Sequence, residues 1–418
     1  AQTGALDRLG LRKPAERVVF EATRSGFRTA GALSRQFTRA GKRRGQPTRV
    51  PTAPGAGRFD LTPTDDEQLL VEVVRELAAE VFRPAAAEAD TATAAPDKVL
   101  AAGRDVGLPL LGVPEELGGI STERSAMAGA LVAEALAHGD MGLAVASLAP
   151  GAVATALSLW GTQEQQATYL PAFTGDDVPA AALALTEARP LFDVLAPATT
   201  ATRDGDGFVL QGVKSMVPRG AEAELFVVGA ALEGDARLFL VESGTSGLRI
   251  EAEPAMGLRA ASLTRVVLDG VRVEAIALLG SADDYVESVR LSRVAWSALA
   301  VGTGQAVLDY VIPYVNQREA FGEPISHRQS VAFMVANIGI ELQGMRLVTY
   351  RAASRAAQGR SFAREAALAR TLCAERGMQI GNDGVQLLGG HGFVKEHPVE
   401  RWYRDLRAVG VMEGTVLI

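Results

Sequence analysis

Between residues 181 and about 280 the apolar residues of this chain alternate with a period of two, and on both sides of that stretch they recur at helical spacing. The order is helices, a β module, then helices, and no repeat appears at solenoid periods. The β module announces itself in "TTATRDGDGFVLQGVKSMV", two strand-like runs around Asp-Gly-Asp-Gly, which is a hairpin signal. "ELFVVGAAL", "ARLFLVES" and "TRVVLDGVRV" follow as short strands. Upstream, "LTPTDDEQLLVEVVRELAAEVFRPAAAEAD" opens with Thr and Asp capping candidates and continues as a helix. Helical stretches run on to about residue 175, interrupted by "LPLLGVPEELGGI". Downstream, three long helices are expected near 284–316, 326–357 and 361–388. The expected fold class is α+β, with modules at 59–180 (helical), 181–282 (β) and 283–418 (helical), preceded by an extension over 1–58.

The 418 residues are enough for two or three packed domains, and 48% hydrophobic with 22% charged is ordinary soluble composition. One cysteine, Cys373, excludes an internal disulfide framework and points to a reducing compartment. Four histidines and that cysteine form no cluster at zinc spacing, so no metal is expected. Residues 141–163 carry no charge and are long enough to span a bilayer, but Pro150-Gly151 breaks the run. Two short buried helices joined by a turn are expected there.

Charge is unevenly spread. Residues 1–58 hold 13 Lys/Arg against Asp7, Glu16 and Glu21, a balance of +10 in a chain of net −7, so the remainder carries −17. An acidic body argues against nucleic acid as the main ligand. Residues 15–38 read as one helix with Arg17, Arg24, Arg28 and Arg35 on one side and Val19, Ala22, Gly26, Ala30, Leu33 and Phe37 opposite. Three readings stand: peripheral contact with an anionic membrane, packing on the body or a neighbouring subunit, and a targeting peptide. Residues 40–58 read as a linker.

Four local features are candidates for chemistry. Arg318 lies in "QREAFGEPISHRQ", where one helix ends near Phe321-Gly322 and another begins near Ser326; it can fork onto a pyrophosphate or sit in solvent. "QLLGGHGF", 386–393, lets a backbone approach a cofactor closely or ends a helix. "GTGQAV", 302–307, half resembles a dinucleotide loop but sits inside a helical pattern with no preceding strand, and is rejected. Thr186 and Glu187 face a cavity or merely open a strand. Glu413, in "VMEGTVLI", is a solvated charge or a base able to take a carbon-bound proton if burial raises its pKa.

In order and spacing, "LPLLGVPEELGG", "GTQEQQATYLPAFTGDD", "LTE", "LTRVVLDGVRV", "QREAFGEPISHRQ" and "QLLGGHGFVKEHPVERWYRDLRAVGVMEGT" resemble the acyl-CoA dehydrogenases from about residue 60 onward. That resemblance implies an N-terminal helical domain, a central β domain and a C-terminal four-helix domain, in a homodimer or homotetramer. It implies FAD, an acyl-CoA substrate and an electron-transferring flavoprotein as acceptor, giving the trans-2-enoyl-CoA. By the same resemblance Glu413 is the catalytic base of the medium-chain type, with its amide N–H polarising the thioester carbonyl. Arg293 and Gly414 face the substrate. Thr186, Arg318, Phe321, Gln329, Gln386, Leu387, Gly389, Gly390 and Thr415 meet FAD. The alternative position for a family base falls here on Leu291 and Ser292, neither of them acidic.

The sequence departs from the family's pattern in the β module. Phe192 stands where a serine binds cofactor phosphate, and Met216-Val217-Pro218 replaces Trp-Ile-Thr. Leu417 replaces a polar residue, and the family's final helix is not in the sequence. These changes raise an alternative, a flavin-poor structural subunit of a heteromeric acyl-CoA dehydrogenase. The expected location is a bacterial cytoplasm, with membrane association through the arm, or else a mitochondrial matrix.

Overall fold

A computed structural model describes residues 61, 63–120, 124–175 and 177–418. The basic extension and linker expected over 1–58 lie outside the described residues. The chain begins with α1 (Asp65–Leu77), closed at its start by a reciprocal capping box between Thr64 and Glu67. α2 (Arg83–Ala92), α3 (Asp97–Asp105), α4 (Ala126–Gly139), α5 (Met141–Trp160) and α6 (Gln163–Phe173) complete the first helical module.

The eight strands that follow are β1 (Ala181–Ala184), β2 (Thr200–Asp204), β3 (Gly207–Val217), β4 (Leu225–Leu232), β5 (Asp235–Glu242), β6 (Leu248–Ala252), β7 (Thr264–Val273) and β8 (Leu278–Leu279). They form one sheet in the order β6-β7-β3-β2-β4-β5-β8, with β1 joining in parallel on β4. α7 (Ala282–Gln317) then runs for 36 residues, followed by α8 (Gln329–Ala357), α9 (Ala363–Leu388) and α10 (Val399–Ala408). One apolar core runs through both helical modules and one face of the sheet; a second, around Phe208, Phe226 and Phe239, fills the other face.

Two local features differ from what the sequence suggests. Residues 141–160 form one continuous helix, not two. Pro150 has no N–H for the carbonyl of Ala146, four residues earlier, and in an isolated helix that loss favours a break. Here Arg219 Nη1, from the turn after β3, reaches the Ala146 carbonyl at 3.5 Å, the long limit of a hydrogen bond. The helix is buried in the fold along most of its length, so its apolar character serves packing.

The second feature is a bulge in β3. Its register with β7 slips between Lys214 and Val217, and Met216 takes a positive φ of 55°. Glu253 anchors the slip by accepting from the Met216 amide at 2.7 Å and from the Ser215 hydroxyl at 2.9 Å. The glycines of "GTGQAV" lie inside α7 and serve packing. A Cβ on Gly302 would stand 2.0 Å from the Glu134 carbonyl of α4.

Candidate active site

The residues around Glu413 come from four places in the fold. α7 contributes Arg293 and, one turn on, Trp296, the i and i+3 positions of one helix face. Arg293 meets the Glu413 carboxylate with both prongs, Nε at 3.1 Å from Oε2 and Nη2 at 3.0 Å from Oε1. Trp296 donates its indole N–H to the Gly414 carbonyl at 2.8 Å. From α9, Arg370 donates to the Met412 carbonyl at 2.7 Å and stands 3.5 Å from Glu413 Oε1. Just past β1, the Thr186 hydroxyl donates to the Glu413 carbonyl at 2.8 Å and accepts from the Glu413 amide at 3.2 Å.

The loop itself is tightly wound. Gly414 has φ +69°, and a Cβ there would lie 2.7 Å from Leu185, so only glycine fits. The Val416 amide donates to the Gly414 carbonyl at 2.8 Å, which closes a three-residue turn around Thr415 at φ +75°. That conformation is costly for a β-branched residue and persists because the surroundings hold it. Thr415 is buried.

Beside this loop lies a buried ion pair. Lys214 Nζ donates to Glu187 Oε1 at 2.8 Å, and Glu187 also accepts from the Ala198 and Thr199 amides at 2.8 Å each. Burial pulls the Lys214 ammonium down to about 8 against the pull of Glu187. Burial alone would raise the Glu187 carboxyl; Lys214 and the two amides outweigh it and hold Glu187 below the usual carboxylate range. Glu187 is therefore committed to holding the β1 end in place. Glu413 is the carboxylate left at the loop's open side, its side chain 13% exposed.

The site residues expected from the sequence fall into two groups. Thr186, Arg293, Glu413, Gly414 and Thr415 meet as described. Arg318 caps the C-terminal end of α7, Phe321 follows it 96% exposed, and Gln329 opens α8. Gln386 and Leu387 end α9, and Gly389, at φ +56°, and Gly390 follow with open space where a Cβ would be. Tyr314, one turn before Arg318, bonds the Leu388 carbonyl at 3.3 Å, which ties these two stretches together. At 1.5 Å per residue, Arg318 lies about 37 Å along α7 from Arg293.

Three family models match this chain: the N-terminal domain of acyl-CoA dehydrogenase over residues 64–176, the middle domain over 182–271 and the C-terminal domain over 285–417. The chain belongs to the acyl-CoA dehydrogenase family. It is 31% identical over 363 residues to the mitochondrial short-chain specific acyl-CoA dehydrogenase of Bos taurus, covering 84% of this chain and 87% of that one. Butyryl-CoA dehydrogenase from Megasphaera elsdenii superposes with a TM-score of 0.77 at 25% identity, over 84% of this chain and 95% of the other. A chain from a structure described as an electron transferring flavoprotein of Acidaminococcus fermentans superposes at 0.78 and 28% identity, over 85% and 96%.

Acyl-CoA dehydrogenases are FAD-binding oxidoreductases acting on CH–CH bonds. The C-terminal end of α7 fits such a group: Arg318 is exposed with no ion pair among the described residues, and the Gly389-Gly390 edge is open backbone. The β module fits it less well. Pro218 offers no N–H, and Phe192 is half-buried under the Arg189 guanidinium, 5.7 Å from its ring centre. Neither supplies the donor that the family pattern has there. The Glu413 amide, expected to polarise a thioester carbonyl, donates in this structure to the Thr186 hydroxyl at 3.2 Å. Arg370 and Lys214 carried no sequence signal. Each stands in an ordinary helix or strand pattern with nothing in the neighbouring residues to mark it.

Proposed function

We propose that the protein is an FAD-dependent dehydrogenase that converts an acyl-CoA thioester to its trans-2-enoyl-CoA, with Glu413 as the base. Glu413 takes the proton from the carbon next to the thioester carbonyl. The flavin, when bound, accepts the neighbouring hydrogen as hydride. Thr186 and Trp296 fix the backbone that carries the base, Gly414 lets that loop pack against Leu185, and Arg293 holds its carboxylate until substrate arrives. The observation that carries this reading is the convergence of Arg293 and Arg370 on one carboxylate and of Thr186 and Trp296 on the loop that bears it. The rival position on α7 holds only the buried Leu291 and Ser292. The flavoprotein-associated neighbour and the short-chain relative support an electron-transferring flavoprotein as acceptor and a fatty acyl-CoA as substrate.

We further propose a homodimer or homotetramer in a bacterial cytoplasm, with the basic arm touching anionic membrane. The roughly 37 Å between Arg293 and Arg318 supports the oligomer, since a dinucleotide beside Glu413 cannot reach its own chain's Arg318.

The test is anaerobic mixing of Glu413→Gln with an acyl-CoA panel, following flavin bleaching. A collapse of about 10²–10⁴-fold is expected, with FAD content unchanged. Bleaching at the wild-type rate removes Glu413 from the role. A second reading, a flavin-poor structural subunit, is favoured by Phe192 and Pro218. A chain that purifies without FAD, and bleaches with no acyl-CoA once FAD is added, establishes that reading.

A further inference from the structure

The two guanidiniums on Glu413 are not equivalent. Arg293 takes both carboxylate oxygens and is 25% exposed. Arg370 is 12% exposed, is anchored through Nη2 to the Met412 carbonyl, and approaches Glu413 Oε1 only to 3.5 Å. Its Nη1 is buried with no hydrogen-bond partner among the described residues. A buried donor without a partner is costly, so its retention calls for a reason.

The other titratable groups facing this site are already engaged. Tyr285, on α7, gives its hydroxyl to the Val194 carbonyl at 2.7 Å. Cys373, on α9 one turn beyond Arg370, is buried against Thr349. Glu187, beyond β1, is held by Lys214.

A carboxylate whose two oxygens each accept from Arg293 keeps free lone pairs but is a weaker base, and its orientation is set by Arg293. Taking a proton from carbon is favoured once Arg293 yields at least one bond. Arg370 would then be the remaining counter-charge on a largely enclosed anion; with neither arginine, such a group protonates or turns away. Arg370 cannot leave with Arg293, because it sits on a different helix and is tied to the residue preceding Glu413. Its Nη2 already stands 3.5 Å from Glu413 Oε1, and its Nη1 is uncommitted among the described residues.

We propose that Arg370 is a positioning residue, the standing counter-ion that keeps Glu413 ionised and oriented once Arg293 has released it. This rests on Glu413 being the base. Arg293 lets go only with substrate in place, so the effect of Arg370 belongs to the enzyme–substrate complex more than to the free enzyme.

The pH profiles separate these states, since kcat reports the complex and kcat/KM the free enzyme. The experiment compares FAD-replete wild type, Arg370→Gln and Arg370→Lys, measuring flavin reduction by an acyl-CoA across pH. Arg370→Gln keeps an amide donor for Met412 but no charge. Its acid limb of kcat is expected to move up by about one pH unit or more, with a smaller move in kcat/KM, while Arg370→Lys stays near wild type. An unmoved limb in Arg370→Gln, whatever its rate, overturns the proposal and leaves Arg370 a prop for the Met412 carbonyl. If Arg370→Gln does not fold, Arg370→Lys decides, and a one-unit shift there overturns the role of charge. Glu413→Gln, run in the same series, tells these results from a failure of the base assignment, in which it would reduce flavin like wild type.

Discussion

The hydroxyl of Thr186 and the backbone of Glu413 bond to each other in both directions, the hydroxyl donating to the carbonyl at 2.8 Å and accepting from the amide at 3.2 Å. A single side chain from the β module thus sets the orientation of the peptide that carries the candidate base. Thr186→Val keeps the shape and removes both bonds. At about 1 kcal/mol each, their loss is expected to slow flavin reduction by roughly thirtyfold with little change in KM, and Thr186→Ser is expected to restore it. Stopped-flow reduction at saturating acyl-CoA measures both.

Lys214 gives a second expectation. Lys214→Met leaves Glu187 buried without its cation, a loss of about 3–5 kcal/mol in denaturant unfolding. Adding Glu187→Gln is expected to recover part of it, because the buried charge is gone while one amide keeps its acceptor. A double mutant as unstable as Lys214→Met alone would show that the charge was not the cause.

The buried Asp405 carboxyl accepts the Leu258 amide at 2.7 Å, and burial together with the nearby Asp140 raises its pKa to about 7. A raised carboxyl pKa means that the folded state favours the proton. Its contribution to stability is full below about pH 4, the unfolded value, and is lost as pH rises through about 7. Asp405→Asn keeps the acceptor without the charge. Its thermal midpoint is expected to overtake that of wild type between pH 4 and 8, with the gap widening upward. A gap independent of pH would rule out ionisation of Asp405 as the source.

The contact between Arg219 and Ala146 can be tested by a double-mutant cycle. Arg219→Met strips the Ala146 carbonyl of its outside donor and is expected to destabilise by about 1 kcal/mol. Pro150→Ala restores an N–H inside the helix, so the loss from Arg219→Met is expected to shrink in that background. Equal losses in both backgrounds would mean the two positions act independently.

The change of period near residues 181 and 280 made the three-part order legible, because alternation and helical spacing are properties of neighbouring residues. The hairpin around Asp-Gly-Asp-Gly was legible for the same reason. Glu413 was not legible from its own neighbours; only the resemblance singled it out. Arg370 lies 43 residues before Glu413 on a helix with two other arginines, Arg364 and Arg376, and no local pattern marks it. The slip at Ser215-Met216 depends on Glu253, across the sheet. Pro150 was read as a break because its compensating donor lies 69 residues away.

That last pair has a consequence for how the sequence can vary. Pro150 writes a fault into one module, and Arg219 repairs it from another. Arginine at 219 also holds Glu222 through Nε and Nη2, while its Nη1 serves the carbonyl that proline at 150 leaves without an N–H. Substitutions at these two positions are therefore expected to be inherited together, and a chimera that takes its helical module from one relative and its β module from another would inherit the fault without the repair.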